Sequence, residues 1–356
     1  MSSPYLESPP LVPGDVVRLI APSGPTDEDS LQRAVSVLEG WGLNVILGEH
    51  IRARHPHVSY LAGTDEQRRA DLVEAWCDPT AAAVIALRGG YGAMRLVDGL
   101  DFARLRRHGL RPDGRPKLLT GSSDITALHQ AWDHHLGVAT LFCPMPGNAP
   151  FKDSAVVPAE VASWLFEPWA GRELGFPAAE DDSAQRSRTL SVDSAHGNRH
   201  SASGESVRDA APHTLVPGTA TGRLSGGNLS LIAAGMGSPE LTGVREAREL
   251  RGPTIALLED VDEELYRLDN LLLQLDRGGW FASADAVVLG SWVDCAPIAE
   301  VEALVLDFLG DRGLPIVSEM GFGHHPDAPS APLGVEVALD AQVGERPRLR
   351  VRGRDE

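Results

Sequence analysis

A serine becomes a nucleophile only where exposure, a nearby base and backbone donors meet at one atom. The stretch Gly121-Ser122-Ser123-Asp124-Ile125-Thr126 is built for such a meeting. It follows the apolar run Leu118-Leu119-Thr120 and opens a helical pattern. A strand that turns sharply into a helix through Gly-x-Ser lifts the serine out of the sheet. The N–H groups of the helix's first turn then lie beside it, where an oxyanion would form. Strand, Gly-Ser-Ser-Asp, helix is also an ordinary capped helix start. Two further groups stand at strand ends before turns: Glu259, after the run Thr254–Leu258, and His324, in Gly321-Phe322-Gly323-His324-His325. A serine needs a base, and a histidine needs a carboxylate to hold its tautomer. With the acid and the base both in the second half, a working Ser-Glu-His set would lie between two domains. Ser122 and His325 are the neighbouring alternatives.

Other polar groups carry weaker readings. Arg88-Gly89-Gly90-Tyr91-Gly92 follows the strand Ala83–Leu87 and could cradle a phosphate, but it is neither GxGxxG nor a Walker sequence. A tight turn, or backbone donors for an oxyanion, explains it better. His129 and Asp133 share a helical face with His134 and His135 nearby, a pattern more often surface or capping than metal-binding. Asp260 and Glu263 could hold a substrate amine or favour the start of the following helix through its dipole.

The elements that must position these groups are legible as alternating β and α signals. Val16–Ala21 reads as a buried strand, Leu31–Trp41 as a helix, and Leu43–Leu47 as a strand. Thr64 with Gln67 forms a capping box that opens a helix to about Trp76. This alternation implies an α/β fold: an N-terminal parallel, doubly wound sheet with function at the strands' carboxyl ends. A second, smaller mixed α/β domain follows, with strands at Thr254–Leu258, Ala286–Leu289 and Leu314–Val317. Helices are expected over Glu263–Leu275, where Leu265, Leu268, Leu272 and Leu275 share a face, and over Ile298–Leu309. Val335–Leu339 and Arg346–Arg352 read as a closing hairpin. The expected division is 1–150 for the nucleophile-bearing domain, 151–216 for a linker, and 217–356 for the domain carrying acid and base. Within the linker, Asp181–Val207 has seven serines in 27 residues and few large apolar side chains, which suggests a flexible insertion.

Composition bounds the partners. A chain of 356 residues with 42% hydrophobic and 23% charged residues suits an ordinary soluble protein of two domains. The net charge of −18 argues against nucleic acid or an anionic membrane surface. Three scattered cysteines form no CxxC, and the N-terminus lacks a basic and apolar leader pattern, so a cytoplasmic location is expected.

Taken together, the motifs resemble a known family. Ala21-Pro22-Ser23-Gly24, Arg88-Gly89-Gly90-Tyr91-Gly92, Gly121-x-Ser123-Asp124-x-Thr126-Ala127 and Gly226-Gly227-Asn228-Leu229 occur in order. Leu258-Glu259-Asp260-Val261-x-Glu263, Phe322-Gly323-His324 and Pro332-Leu333-Gly334 follow. The chain thereby resembles the LD-carboxypeptidase family of serine peptidases, which includes the microcin C immunity peptidases. The resemblance implies Ser123 as nucleophile, Glu259 as the acid and His324, rather than His325, as the base. It implies an oxyanion hole from Asp124 and Gly90, and substrate contacts from Arg88, Gly89, Gly227 and Asn228. It implies no metal and no organic cofactor, a homodimer, and a small peptide substrate. Members remove the terminal D-alanine from murein tetrapeptide in cell-wall recycling. Immunity peptidases instead cleave a peptidyl or aminoacyl nucleotide, for which Trp280 or Trp292 could supply a stacking ring. A ligand-binding protein on the same fold is the non-catalytic alternative. Asn270, where arginine is usual, and Cys143, where glycine is usual, depart from the family pattern.

Overall fold

The computed structural model describes residues 9–111, 113–176, 211–241 and 252–353. The serine-rich stretch Asp181–Val207 lies outside the described residues.

The first half supplies β1 (Val16–Ile20), β2 (Asn44–Leu47), β3 (Ala81–Ala86), β4 (Leu118–Gly121) and β5 (Thr140–Phe142). Their order is β5-β4-β3-β1-β2, and every pairing is parallel. Side-chain alternation gives this sheet two buried faces. Val17, Leu19, Ala83 and Ile85 enter one core, while Ile20, Val84 and Ala86 enter the other. The helices between strands are capped as their sequences require. Asp27 accepts the Ser30 N–H ahead of Glu28–Gly40, and Thr64 and Gln67 form the capping box of Asp65–Cys77.

The rest of the chain supplies β6 (Glu173–Leu174), β7 (His213–Val216), β8 (Gly218–Asn228), β9 (Thr254–Val261), β10 (Ala284–Val293), β11 (Ile316–Ser318), β12 (Ala331–Leu333), β13 (Glu336–Ala341) and β14 (Arg348–Val351). All but β12 build a mixed eight-stranded sheet in the order β6-β14-β13-β8-β9-β10-β11-β7. Its centre, β8 to β11, is parallel, and its flanks are antiparallel. The hairpin expected near the C-terminus is the β13–β14 pair.

Two features join the sheets. Strand β12 pairs antiparallel with β5, so the first sheet is completed by a segment the chain reaches late. Ile255 and Leu257 of β9 share the core of Val17 and Ile85, whereas Ala256 and Leu258 face the helices Leu265–Arg277 and Ile298–Leu309. The carboxyl ends of β4, β9 and β10 can therefore face one another across a common core.

Candidate active site

Ser123 stands in the turn after β4 with φ of 58°. That left-handed conformation costs a non-glycine residue about 1–2 kcal/mol, and it sets the side chain off the strand axis. Gly121 makes the bend possible. Its φ is +150°, and an added Cβ would come within 2.8 Å of the Ile125 side chain. A short 3-10 turn, Ser123–Ile125, leads into the helix Thr126–Ala131.

The candidate base, His324, arrives from the turn after β11. His324 Nε2 lies 3.1 Å from Ser123 Oγ, and its Nδ1 lies 2.7 Å from Glu259 Oε2. Glu259, at the end of β9, is fully buried. Burial pushes the His324 imidazole down, but the Glu259 charge and hydrogen bond outweigh it, leaving His324 above its ordinary value. The turn fits because of glycine: Gly323 has φ of +110°, and a Cβ there would collide with the Glu259 carboxylate. His325 points elsewhere, with its ring edge-on to Phe176 at 4.8 Å.

The glycine loop packs on the serine. A Cβ added to Gly89 would lie 3.0 Å from Ser123 Cβ and 3.2 Å from its Oγ, so a side chain there would crowd Ser123 and require it to give way slightly. Gly90 follows with φ of +111°. Arg88 braces the loop by donating to Pro25 O at 2.9 Å. From the second sheet, Gly227 abuts the helix that follows Ser123, since a Cβ would sit 2.6 Å from Thr126 Oγ1. The Asn228 N–H donates to that hydroxyl at 3.0 Å.

Residues 17–143 match the model of the LD-carboxypeptidase N-terminal domain, and residues 221–339 match that of the LD-carboxypeptidase C-terminal domain. The chain belongs to the LD-carboxypeptidase family. Membership makes it a serine-type carboxypeptidase. It is 39% identical to a putative carboxypeptidase of Streptomyces coelicolor, over 95% of this chain and 96% of that one. It is 32% identical to a probable murein peptide carboxypeptidase of Bacillus subtilis, over 92% and 89% respectively. In fold it is similar to the microcin self-immunity protein MccF, solved in complex with aspartyl sulfamoyl adenosine. There the TM-score is 0.73 at 20% identity, over 98% of this chain and 99% of that one.

The other polar groups of this family member have structural employment. Asn228 caps the helix Leu229–Gly235, accepting from Leu231 N at 3.1 Å while its Nδ2 donates to Asp260 at 2.9 Å. Asp260 also accepts from Ser230 N and Oγ, at 2.9 and 2.6 Å. It therefore secures the helix that follows β8 rather than the one that follows itself. Glu263 accepts from Ser230 Oγ at 3.2 Å and pairs with Arg267. His129 is buried, with one ring nitrogen on Thr140 Oγ1 and the other on Gly121 O; burial brings its pKa down to about 4. Among the described residues, no three His, Cys, Asp or Glu side chains form a metal-ligand group.

One expectation needs correction. Trp280 and Trp292 are buried in the helix-covered core of the second sheet, where they pack among leucines and offer no exposed ring to a base. Cys143, buried beside the elbow, has its N–H on Gly121 O, so it fills core volume. Asn270 is exposed on the helix Leu265–Arg277.

Sequence reading missed Ser291, on β10. Its hydroxyl accepts the N–H groups of His324 and His325 at 2.9 and 3.1 Å and donates to Phe322 O at 3.1 Å. A serine after Gly290, in an otherwise apolar strand end, was the available signal.

Proposed function

We propose that this enzyme removes the terminal D-alanine of murein tetrapeptide, hydrolysing its amide to the L-centre of the diamino acid. The observation that carries the mechanism is the continuous line Glu259 Oε2–His324 Nδ1, His324 Nε2–Ser123 Oγ, at 2.7 and 3.1 Å. The 32% identical murein peptide carboxypeptidase supports the substrate.

Ser123 Oγ attacks the amide carbonyl while His324 Nε2 takes its proton and Glu259 stabilises the imidazolium. The developing oxyanion is held by the N–H groups of Asp124 and Gly90. His324 then gives the proton to the departing D-alanine amine, leaving an acyl-ester on Ser123. Water, deprotonated by His324, attacks that ester, and the proton returns to Ser123 as it leaves. Arg88 is suited to the substrate's terminal carboxylate through its planar fork. The reading carries with it a cytoplasmic location, in keeping with three free cysteines, and a homodimer.

Mass spectrometry of murein tetrapeptide incubated with the wild type and with Ser123→Ala tests the proposal. Tripeptide and D-alanine are expected from the wild type alone. Inactivity of both would remove the murein substrate, and peptidyl nucleotides would be assayed next. Failure of Ser123 to label with a phosphonate serine probe would favour the non-catalytic reading.

A further inference from the structure

The carboxylate of Asp124, next in sequence to Ser123, is buried and takes no part in the Ser-His-Glu line. Its Oδ2 accepts the Ser23 hydroxyl at 2.5 Å and the Ala93 N–H at 2.7 Å. Ser23 lies in the turn after β1, Ala93 closes the glycine loop after β3, and Asp124 belongs to the elbow after β4. One oxygen thus joins three strand-end loops at the point where the nucleophile is displayed.

A second tie crosses the same gap. Arg68, only 1% exposed, reaches from the helix Asp65–Cys77 and donates through Nη1 to Pro22 O at 2.5 Å and Gly92 O at 2.8 Å. Asp65 receives its other terminal nitrogen. The Gly24 N–H donates to Gly89 O at 3.1 Å. Burial outweighs its hydrogen bonds and the Arg68 charge, leaving the Asp124 carboxyl above its ordinary value.

These ties matter because the loop they hold is intrinsically soft. Glycine occupies 89, 90 and 92, and the last two have positive φ, so the backbone there has wide freedom until it is tied. An oxyanion donor acts only if it is aimed before the charge develops. We propose that the Asp124 carboxylate is a positioning residue: by gripping Ser23 and Ala93 it aims the glycine loop at the oxyanion of Ser123's adduct, with Arg68 as the second tie. This rests on Ser123 being the nucleophile and on Gly90 being an oxyanion donor.

The test is Ser23→Ala in the full chain, assayed for D-alanine release from murein tetrapeptide. The same protein is titrated with a peptide boronic acid whose boron replaces the scissile carbonyl carbon. Losing one whole oxyanion donor costs roughly a hundredfold to a thousandfold in kcat, so a misaimed donor is expected to cost about tenfold to a hundredfold. KM should stay within about twofold, because the tie acts only on the transition state. The boronate inhibition constant should rise by the same factor as kcat/KM falls. Asp124→Asn, which keeps an acceptor for Ala93, should recover part of what Asp124→Ala loses. If Ser23→Ala does not fold, Arg68→Lys is read in the same way. An unchanged kcat, a loss confined to KM, or an unmoved boronate constant overturns the proposal. Turnover surviving in Ser123→Ala would instead overturn the reading beneath it.

Discussion

The hydroxyl of Ser291 accepts the backbone N–H of His324 at 2.9 Å, across 33 residues of chain. His324 is thus held at its main chain by β10 and at its ring by Glu259 on β9. Ser291→Ala leaves two N–H groups without that acceptor in a nearly buried place, a loss of about 1–3 kcal/mol for each unsatisfied group. We expect a lower kcat, because the turn can wander, with little change in KM. Steady-state kinetics beside a thermal melt checks this, and a change in KM alone would refute it.

The pH dependence of kcat/KM should report His324, which must be neutral to accept the Ser123 proton. Its pKa is raised by Glu259 against the effect of burial, so the acid limb should fall above the ordinary imidazole value near ~6.5. Glu259→Gln removes the charge and leaves the burial, so the limb should move to lower pH while the plateau drops. A comparable carboxylate-to-amide change costs about ten-thousandfold in kcat. Linkage runs in step: protonated His324 stabilises the fold below the unfolded pKa, and that contribution is lost as pH rises through the raised one. An acid limb unmoved in the Gln variant would count against this coupling.

Gly323→Ala should abolish turnover. Its φ of +110° disfavours any side chain, and the new methyl would occupy the space of the Glu259 carboxylate. Displacement of Glu259 releases His324. The expected outcome is loss of measurable D-alanine release with a lowered melting midpoint; wild-type rates would contradict the geometry.

His129 makes the fold acid-sensitive. It is buried and neutral, with a pKa of about 4 against an ordinary value of 6.5. Between those values the unfolded chain binds more protons, so stability falls as pH falls through the window, by about 3 kcal/mol in full. Urea midpoints of wild type and His129→Gln at pH 7 and pH 4.5 measure this. The variant should lose less on acidification; equal losses would show that other groups govern it.

Much of the candidate site was legible because its signals are local. The elbow at Ser123, the acid after the apolar run of β9 and the glycine turn before His324 each lie within a few residues of a strand end. Strand and helix patterns were readable for the same reason, since alternation and capping act over one or two turns. Trp280 and Trp292 show the limit: a large ring reads alike whether it lines a cleft or fills a core, and here both fill a core.

The amino-acid sequence by itself determined the family and the α/β order and singled out the candidate reactive side chains, because backbone conformation at Gly121, Gly323 and the capped helices follows from short-range sterics and hydrogen bonds. Only the tertiary structure decided that Ser123 and His324, 201 residues apart, stand 3.1 Å from each other. It alone revealed that β12 completes the first sheet, that Ser291 anchors the main chain of His324, and that Asp124 joins Ser23 and Ala93. Those contacts arise from packing two sheets on a shared core, and their partners are too far apart in the chain for any local pattern to encode them.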